Sequence, residues 1–203
     1  MQIIDLSVVI NEQTPVYPGD PATKIAQAGV FAKDGWNDHY ISFGTHVGTH
    51  VDAPMHMIEN GRGLNQIPIE QFTGPGRYIK VDGSFDLETI KQAKIQEGEI
   101  VLFDTGMNAK YLEQAYFEDY PVMSEEIANY LVGLKVKMVG FDTCSPDNQD
   151  GFPIHKILLG GNVLIIENLT NLQVLADKNF KVYALPLKLE IDGSPSRVIA
   201  EVE

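Results

Sequence analysis

Residues 42–56 contain three of the chain's five histidines at a spacing that requires the backbone to turn. His46 and His50 are separated only by Val-Gly-Thr. In an extended strand their Cα atoms would lie about 13 Å apart, at about 3.3 Å per residue. That separation is almost too large for two imidazoles that must each bind one ion at about 2.0–2.1 Å. The segment is therefore predicted to form either a helical turn or a bend at Gly48.

Asp52 follows His50 by two residues, which is roughly 200° around a helix, so any helical path must stop after His50 for the two side chains to meet. Pro54 provides such a stop because it pushes Ala53 toward extended geometry. A lone histidine or aspartate in a loop is usually solvated or caps a helix. The whole pattern, His-x3-His-x-Asp-x3-His, has no common structural explanation and indicates a metal site.

The composition argues against nucleic acid and membranes as partners. Lysine and arginine number 15 against 28 acidic residues, a formal net charge of −13, whereas phosphate binding needs clustered cations. The first residues do not resemble a signal peptide, and no stretch approaches the ~18 apolar residues of a membrane span. We therefore expect a cytoplasmic protein that acts on a small molecule. The single cysteine, Cys144, excludes an internal disulfide and is interpreted as a packing residue.

Short apolar runs separated by turn residues predict one domain, residues 1–203, of mixed strands and helices. Strands are predicted over 3–10, twice between 24 and 43, and over 77–81, 100–103, 136–141, 162–166, 181–189 and 197–202. Helices are predicted over 86–95, 109–117 and 124–134, the last with Ser124 as its N-cap. Three prolines in residues 14–21 block a helix there and favour a rigid loop.

Four residues outside the histidine segment carry weaker signals. Tyr17 stands between two prolines and either fills the surface or forms an aromatic wall of a pocket. Glu167 ends the apolar run 163–166, where a carboxylate needs a cation, an ion pair or a hydrogen-bond cluster. By itself His155 is interpreted as a loop histidine, and His39 as a solvated or capping one.

The ordered set of motifs along the chain extends far beyond residues 46–56. It comprises Ile-Asp-Leu-Ser at 4–7, Thr-Pro-Val-Tyr-Pro-Gly-Asp at 14–20, Thr-Gly-Pro at 73–75, Val-Gly-Phe-Asp-Thr at 139–143, Glu-Asn-Leu at 167–169, Leu-Pro-Leu-Lys at 185–188 and Gly-Ser-Pro-Ser-Arg at 193–197. In this set the chain resembles the metal-dependent cyclase-like hydrolase family, which includes bacterial kynurenine formamidases and isatin hydrolases. The resemblance implies an α/β, single-domain swivelling β/β/α fold with mixed sheets and a few helices. It also implies a homo-oligomer, a dimer or a tetramer.

The resemblance further implies a site with two divalent metal ions, usually Zn²⁺ and sometimes Mn²⁺. The first ion would be held by His46, His50 and Asp52, and the second by Asp52, His155 and Glu167. Three histidines and two carboxylates suit zinc or manganese better than calcium or magnesium. Such ions acidify a water molecule and polarise a carbonyl group.

His56 is not needed in either ligand set and is predicted to be the catalytic proton shuttle, a role suited to an imidazole with an ordinary pKa of about 6.5. The implied reaction is hydrolysis of an aryl formamide C–N bond, as in the conversion of N-formylkynurenine to kynurenine and formate. One alternative is the same chemistry on isatin or another cyclic or linear amide. A second is a non-catalytic metal-binding protein, which would have no use for His56.

At three places the chain departs from the pattern of the kynurenine formamidases, and one of them is Glu-Asn-Leu-Thr-Asn-Leu at 167–172, which is closer to the general cyclase pattern. Kynurenine formamidases usually have tryptophan where this chain has Tyr17, which is predicted to bind substrate. A tyrosine ring can still stack on an arylformamide, although it adds a hydroxyl group. Many relatives carry arginine where this chain has Asp104, and this change is expected to alter a partner contact or a pocket edge.

Overall fold

The computed structural model describes residues 1–203 and contains ten strands and four α-helices. The strands are β1 (Gln2–Asp5), β2 (Lys24–Gly29), β3 (Asp38–Ser42), β4 (His50–Asp52), β5 (Thr73–Lys80), β6 (Ile100–Asp104), β7 (Met138–Phe141), β8 (Leu164–Glu167), β9 (Phe180–Pro186) and β10 (Gly193–Val202). The helices are α1 (Phe31–Asp34), α2 (Leu87–Gln92), α3 (Glu125–Gly133) and α4 (Pro153–Gly160). Short 3₁₀ turns cover Pro54–His56, Leu64–Gln66, Ile69–Phe72, Met107–Lys110, Gln114–Phe117 and Leu172–Leu175.

A mixed sheet closes on itself to form the centre of the fold. Its strands follow the order β10-β4-β8-β7-β6-β5-β9, and β9 pairs with β10 to complete the ring. β5, β6, β7 and β8 are parallel, whereas β4, β9 and β10 make antiparallel pairs. β1 adds to β10 outside the ring. This closed mixed sheet with few helices confirms the predicted α/β fold.

Alternate residues of the parallel strands enter two different cores. In β6, Ile100 and Leu102 belong to the core inside the sheet, whereas Val101 and Phe103 pack on the other face beside α3 and α4. Strands covered on both faces need continuous apolar sequence, which explains the runs predicted as buried strands at 100–103 and 136–141. The helix layer and the inner core together fix the strand ends that carry the polar residues of the site.

Two regions show where local sequence did and did not decide the structure. Ser124 caps α3 as predicted, because its Oγ accepts a hydrogen bond from Ile127 N at 3.3 Å. The helix predicted over 109–117 is wrong, since this segment forms two 3₁₀ turns. Tyr116 is fully buried and its Oη donates to Asn168 Oδ1 at 2.7 Å, and this tertiary contact overrides the local helical preference.

α4 was not predicted, and His155 lies on it rather than in a loop. Pro153 occupies the first helical turn, where its missing N–H costs nothing. The side chain of Asp147 caps this helix, because Oδ2 accepts a hydrogen bond from Ile154 N at 2.7 Å. The cap lies too far upstream of the helix for a local sequence pattern to reveal it.

The segment between residues 24 and 43 forms a two-stranded hairpin, as predicted, which pairs with no strand of the main sheet. Every residue of β3, including His39, is exposed, so His39 takes no part in a buried ligand set. Trp36 and Tyr40 are 53% and 69% exposed, which gives the hairpin an apolar surface. None of the four helices is long and apolar enough to cross a membrane.

Candidate active site

The predicted histidine segment turns through a bend at Gly48 and not through a helix. Gly48 has φ +59°, and a Cβ there would lie 2.8 Å from Ile10 Cγ1, so a larger residue does not fit. β4 follows immediately, and His50 and Asp52 project from the same face because they are two residues apart in a strand. The bend returns His46 to this face, where its ring centroid lies 5.1 Å from that of His50.

The second half of the predicted ligand set arrives on β8 and α4. β4 pairs with β8 so that His50 stands opposite Glu167, and His50 Nε2 lies 3.3 Å from Glu167 Oε2. His155 Nε2 lies 3.3 Å from Glu167 Oε1 and 3.8 Å from Asp52 Oδ2. Residues far apart in sequence therefore meet at one edge of the sheet.

His46 and His56 complete the cluster. His46 Nδ1 lies 2.8 Å from Asp52 Oδ1, and the His46 and His56 ring centroids are 3.9 Å apart. Two groups have ligand atoms that all lie within 4.8 Å of one another: His46, Asp52 and His56 in one, and His50, Asp52 and Glu167 in the other. Asp52 belongs to both groups, but their other members differ from the predicted ligand sets, since His56 stands in the first group in place of His50 and His50 stands in the second in place of His155.

Three buried atoms in this cluster make no hydrogen bond of acceptable geometry, although each lies within 3.3–3.8 Å of another nitrogen or oxygen of the cluster: His50 Nε2, Asp52 Oδ2 and Glu167 Oε1. A buried polar atom left without a hydrogen bond costs about 1–3 kcal/mol, so three such atoms on neighbouring residues of one cluster require explanation. Imidazole nitrogen and carboxylate oxygen are ligands that zinc and similar divalent cations prefer. The donor set therefore fits a divalent metal centre.

The second ring nitrogen of two histidines is held in place by the protein. His50 Nδ1 donates to Gly48 O at 2.8 Å, and His155 Nδ1 donates to Asp147 Oδ1 at 3.1 Å. Each bond leaves Nε2 as the nitrogen that faces the carboxylates. Such outer partners fix the tautomer and the ring orientation of metal-binding histidines.

Burial and neighbouring charges shift the pKa values of the cluster in opposite directions. Burial alone would lower the pKa of His46, but Asp52 and a second carboxylate raise it to about 9. Burial would raise the pKa of Asp52, yet the neighbouring histidines hold it well below its usual range. For His56 burial is the largest effect, and it lowers the pKa despite the attraction of Asp52. His56 thus differs electrostatically from the predicted ligand His46.

A cavity of about 240 Å³ opens onto the cluster. Its polar wall includes His46, His56, His155 and Glu167, and its apolar wall includes Tyr17, Met57, Phe117 and Phe152. The rings of Tyr17 and Phe117 meet edge to face with centroids 6.3 Å apart. A larger groove, about 1030 Å³, lies around β5 and β9 and contains none of the predicted site residues. The buried ligand chemistry, and not cavity size, therefore locates the candidate site.

Cys144 and Asp104, for which no catalytic role was predicted, are both buried. Cys144 is buried beside Tyr116 and Tyr120, and burial raises the pKa of its thiol to about 12. Asp104 is also buried and accepts a hydrogen bond from Tyr78 Oη at 2.7 Å. Asp104 does not line the 240 Å³ cavity, so having aspartate there does not alter the edge of this cavity. The other expected effect, an altered partner contact, stays a prediction.

Sequence reasoning missed two carboxylates beside the cluster, Asp147 and Asp192. Asp147 orients His155, and Asp192 Oδ2 lies 2.8 Å from His46 Nε2. The hydrogen bond from His46 lowers the pKa of the Asp192 carboxyl to about 2. No local signal could have found Asp192, because Asp-Gly is an ordinary turn sequence and the contact with His46 depends on the pairing of β4 with β10.

Gly193→Ala is expected to displace the His46 ring, because a Cβ at position 193 would lie 2.7 Å from His46 Cε1. Disturbing the orientation of a metal-binding histidine typically weakens metal affinity by about 10–100-fold, and with His46 as the predicted ligand we expect a loss of at least about tenfold. Zinc titration against a competing chelator measures the zinc affinity of each variant. Gly133→Ala is the matched control, since a Cβ there contacts nothing within 4 Å. Equal zinc affinity in the two variants would contradict the prediction.

A closed mixed sheet that carries buried histidines and carboxylates beside a small cavity fits the class of metal-dependent hydrolases. Comparison with known proteins agrees with this class. The family model described as "Putative cyclase" matches residues 4–148, and the chain belongs to this family. The family predicted from the sequence motifs is thereby confirmed.

The relatives and structural neighbours extend over nearly the whole chain. An uncharacterized protein of Methanocaldococcus jannaschii is 37% identical over 98% of this chain and 99% of its own length. The kynurenine formamidase of Bacillus cytotoxicus is 30% identical over 97% of this chain and 95% of its own.

Two solved structures share the fold. Isatin hydrolase A from Ralstonia solanacearum has a TM-score of 0.89 at 26% identity, covering 100% of this chain and 92% of that one. A protein described as a potential metal-dependent hydrolase with cyclase activity has a TM-score of 0.83 at 29% identity, covering 98% and 96%. These similarities confirm the predicted enzyme class, a metal-dependent hydrolase.

Proposed function

We propose that this chain hydrolyses the C–N bond of a small aryl amide at a divalent metal centre. The observation that carries the proposal is the set of buried, unpartnered atoms on His50, Asp52 and Glu167, which lie beside an aromatic-walled cavity. A protein that only stored metal would gain nothing from that cavity. The aromatic-walled cavity therefore argues against the alternative of a non-catalytic metal-binding protein.

For the metal ligands we propose the assignment that the family resemblance implies. The residues that would hold the first ion are His46, His50 and Asp52, and those that would hold the second are Asp52, His155 and Glu167. Zinc fits this donor set best, and manganese is the second choice. When bound, such a metal centre acidifies water and polarises the substrate carbonyl.

The remaining steps belong to side chains of the protein. His56 lies on the cavity wall and is proposed to take a proton from the attacking water and deliver it to the leaving nitrogen. The leaving amine needs that proton because an amide anion is a poor leaving group. Tyr17 and Phe117 form the apolar wall, which is proposed to hold the aryl group and exclude water.

For the substrate we propose an aryl formamide of the N-formylkynurenine type, cleaved to the arylamine and formate. The kynurenine formamidase relative at 30% identity supports this choice. Isatin is the second candidate, because an isatin hydrolase shares the fold with a TM-score of 0.89. Both substrates present a carbonyl carbon bonded to an aryl nitrogen, so one site chemistry serves either.

Zinc-loaded protein is expected to hydrolyse at least one member of a panel of N-formylkynurenine, isatin and simple arylformamides. After chelation it is expected to hydrolyse none, because the metal supplies the activated water. Adding back zinc or manganese is expected to restore activity, which separates metal loss from unfolding. Hydrolysis that survives complete metal removal would contradict the proposed mechanism.

Tyr17→Ala is expected to raise KM for an arylformamide roughly two- to tenfold, since an aromatic contact contributes about 0.5–1.5 kcal/mol. Tyr17→Phe keeps the ring and is the matched control, with KM expected within about twofold of wild type. Steady-state kinetics on the zinc-loaded proteins give both values. An unchanged KM in Tyr17→Ala would remove Tyr17 from the proposed substrate site.

The family resemblance also supports the proposals that the chain forms homo-oligomers and works in the cytoplasm. Light scattering on the purified protein tests for homo-oligomers, and a monomer at micromolar concentration would contradict that proposal. Cell fractionation tests the cytoplasmic location, and recovery of the protein outside the cytoplasmic fraction would contradict it.

A further inference from the structure

Asp192 lies in the connection before β10 and is held there by the sheet. Gly193, the next residue, pairs with Asp52 across the β10–β4 ladder. The carbonyl oxygen of Asp192 accepts a hydrogen bond from Ala53 N at 2.8 Å. The backbone that carries Asp52 therefore also sets the position of Asp192.

The Asp192 carboxylate contacts two histidines with the same oxygen. Oδ2 lies 2.8 Å from His46 Nε2 and 3.5 Å from His56 Nδ1. Thr45 Oγ1 donates to this oxygen at 3.5 Å. The carboxylate is half-buried, with its side chain 34% exposed. One carboxylate thus connects a proposed metal ligand with the proposed proton shuttle.

The two nitrogens of His46 face different partners. Nδ1 faces Asp52 Oδ1 at 2.8 Å, on the side of the proposed metal centre, and Nε2 faces Asp192. Both carboxylates only accept hydrogen bonds, but a cation at the proposed centre would replace only the proton on Nδ1, which lies on that side, so Nε2 is the nitrogen that keeps its proton when metal is bound. Nδ1 is then the nitrogen with a lone pair to offer a cation, as in other sites where a carboxylate fixes the tautomer of a ligand histidine.

We propose that Asp192 is a positioning residue that fixes the tautomer of His46 and holds the ring of His56 at the cavity wall. The part of this proposal that concerns His56 and catalysis rests on the proposed function. The carboxylate does not contact the cavity itself, since Asp192 is absent from its lining, and so acts through the two histidines. Its contact with His56 Nδ1 leaves Nε2 available for proton transfer.

Asp192→Asn tests the proposal, with Glu190→Gln as the matched control. Glu190 is exposed on the same connection, two residues away, and has no ion pair. In zinc-loaded Asp192→Asn we expect zinc affinity to fall about 10–100-fold by chelator competition, with the same number of ions bound at saturation. At saturating zinc we expect kcat to fall at least about tenfold and KM to stay within about twofold, because substrate contacts are unchanged. Glu190→Gln is expected to match wild type in all of these measurements.

Unchanged zinc affinity and kcat in Asp192→Asn would overturn the proposal. Loss of one bound ion at saturating zinc would also overturn it, because Asp192 would then be a ligand. Should the variant fail to fold, histidine-labelled wild-type protein with zinc provides the test by ¹⁵N NMR. We expect His46 to carry its proton on Nε2, and a proton on Nδ1 would overturn the proposal. Measuring the zinc affinity and the tautomer of His46 requires no substrate. These two measurements therefore test the role of Asp192 even if the wild-type protein hydrolyses no member of the panel and the proposed function fails.

Discussion

Asp52→Ala is expected to release both metal ions and to lower kcat/KM by at least about a thousandfold, the equivalent of about 4 kcal/mol of metal-supplied stabilisation. The reason is its shared position. Asp52 is fully buried, with Oδ1 2.8 Å from His46 Nδ1 and 3.3 Å from His50 Nε2, and Oδ2 3.8 Å from His155 Nε2. Removing this one side chain takes an anionic ligand from both proposed positions.

Elemental analysis of the purified variant measures the metal loss directly. Asp82→Ala is the control, since Asp82 is exposed and belongs to no ligand group. Asp52→Asn serves as a second variant that keeps the side-chain volume, which separates loss of charge from the cavity that alanine leaves. Two ions still bound in Asp52→Ala would refute the shared role of this residue.

The half of the site on residues 46–56 could be predicted because its constraints are local. The separation of His46 and His50 required a turn, and Gly48 was the residue able to provide it. The prediction left a helical turn open as an alternative, because spacing alone does not distinguish the two. The structure decides for a bend, since β4 begins at His50 and its pairing with β8 needs an extended backbone.

The other half could not be predicted from local patterns, because it depends on long-range strand pairing. Glu167 meets His50 only through the register of β4 and β8. Asp192 meets His46 only through the pairing of β4 with β10. Resemblance to a family supplied Glu167, whereas nothing in the local sequence distinguished Asp192 from an ordinary turn aspartate.

The errors in the helices have the same physical origin. The segment 109–117 has helical propensity, but packing of Tyr116 at full burial and its hydrogen bond to Asn168 Oδ1 at 2.7 Å determine its path. α4 begins with a proline and takes its cap from Asp147, six residues before the helix. In both places a buried tertiary contact contributes more than the local preference, which is worth at most about 1 kcal/mol per residue for ordinary residues.

His56→Ala is expected to keep both metal ions and to lower kcat by about 10²–10⁴-fold, the usual contribution of a positioned general acid or base. None of the three buried, unpartnered atoms that indicate a cation belongs to His56. Its ring instead lies on the cavity wall, where substrate would bind. His39→Ala is the matched control, because His39 is exposed on the hairpin outside the site.

The measurement must distinguish a proton shuttle from a ligand, because His56 also lies in a group of possible ligand atoms with His46 and Asp52. Metal content and turnover measured on the same His56→Ala sample make that distinction. A ligand would take an ion with it when removed, whereas a shuttle would leave the metal content unchanged and slow the reaction. Added imidazole is expected to restore part of the turnover, since it can occupy the space left by the side chain and transfer the proton. Full hydrolysis without His56 would exclude the shuttle, because the leaving nitrogen would then receive its proton from another group.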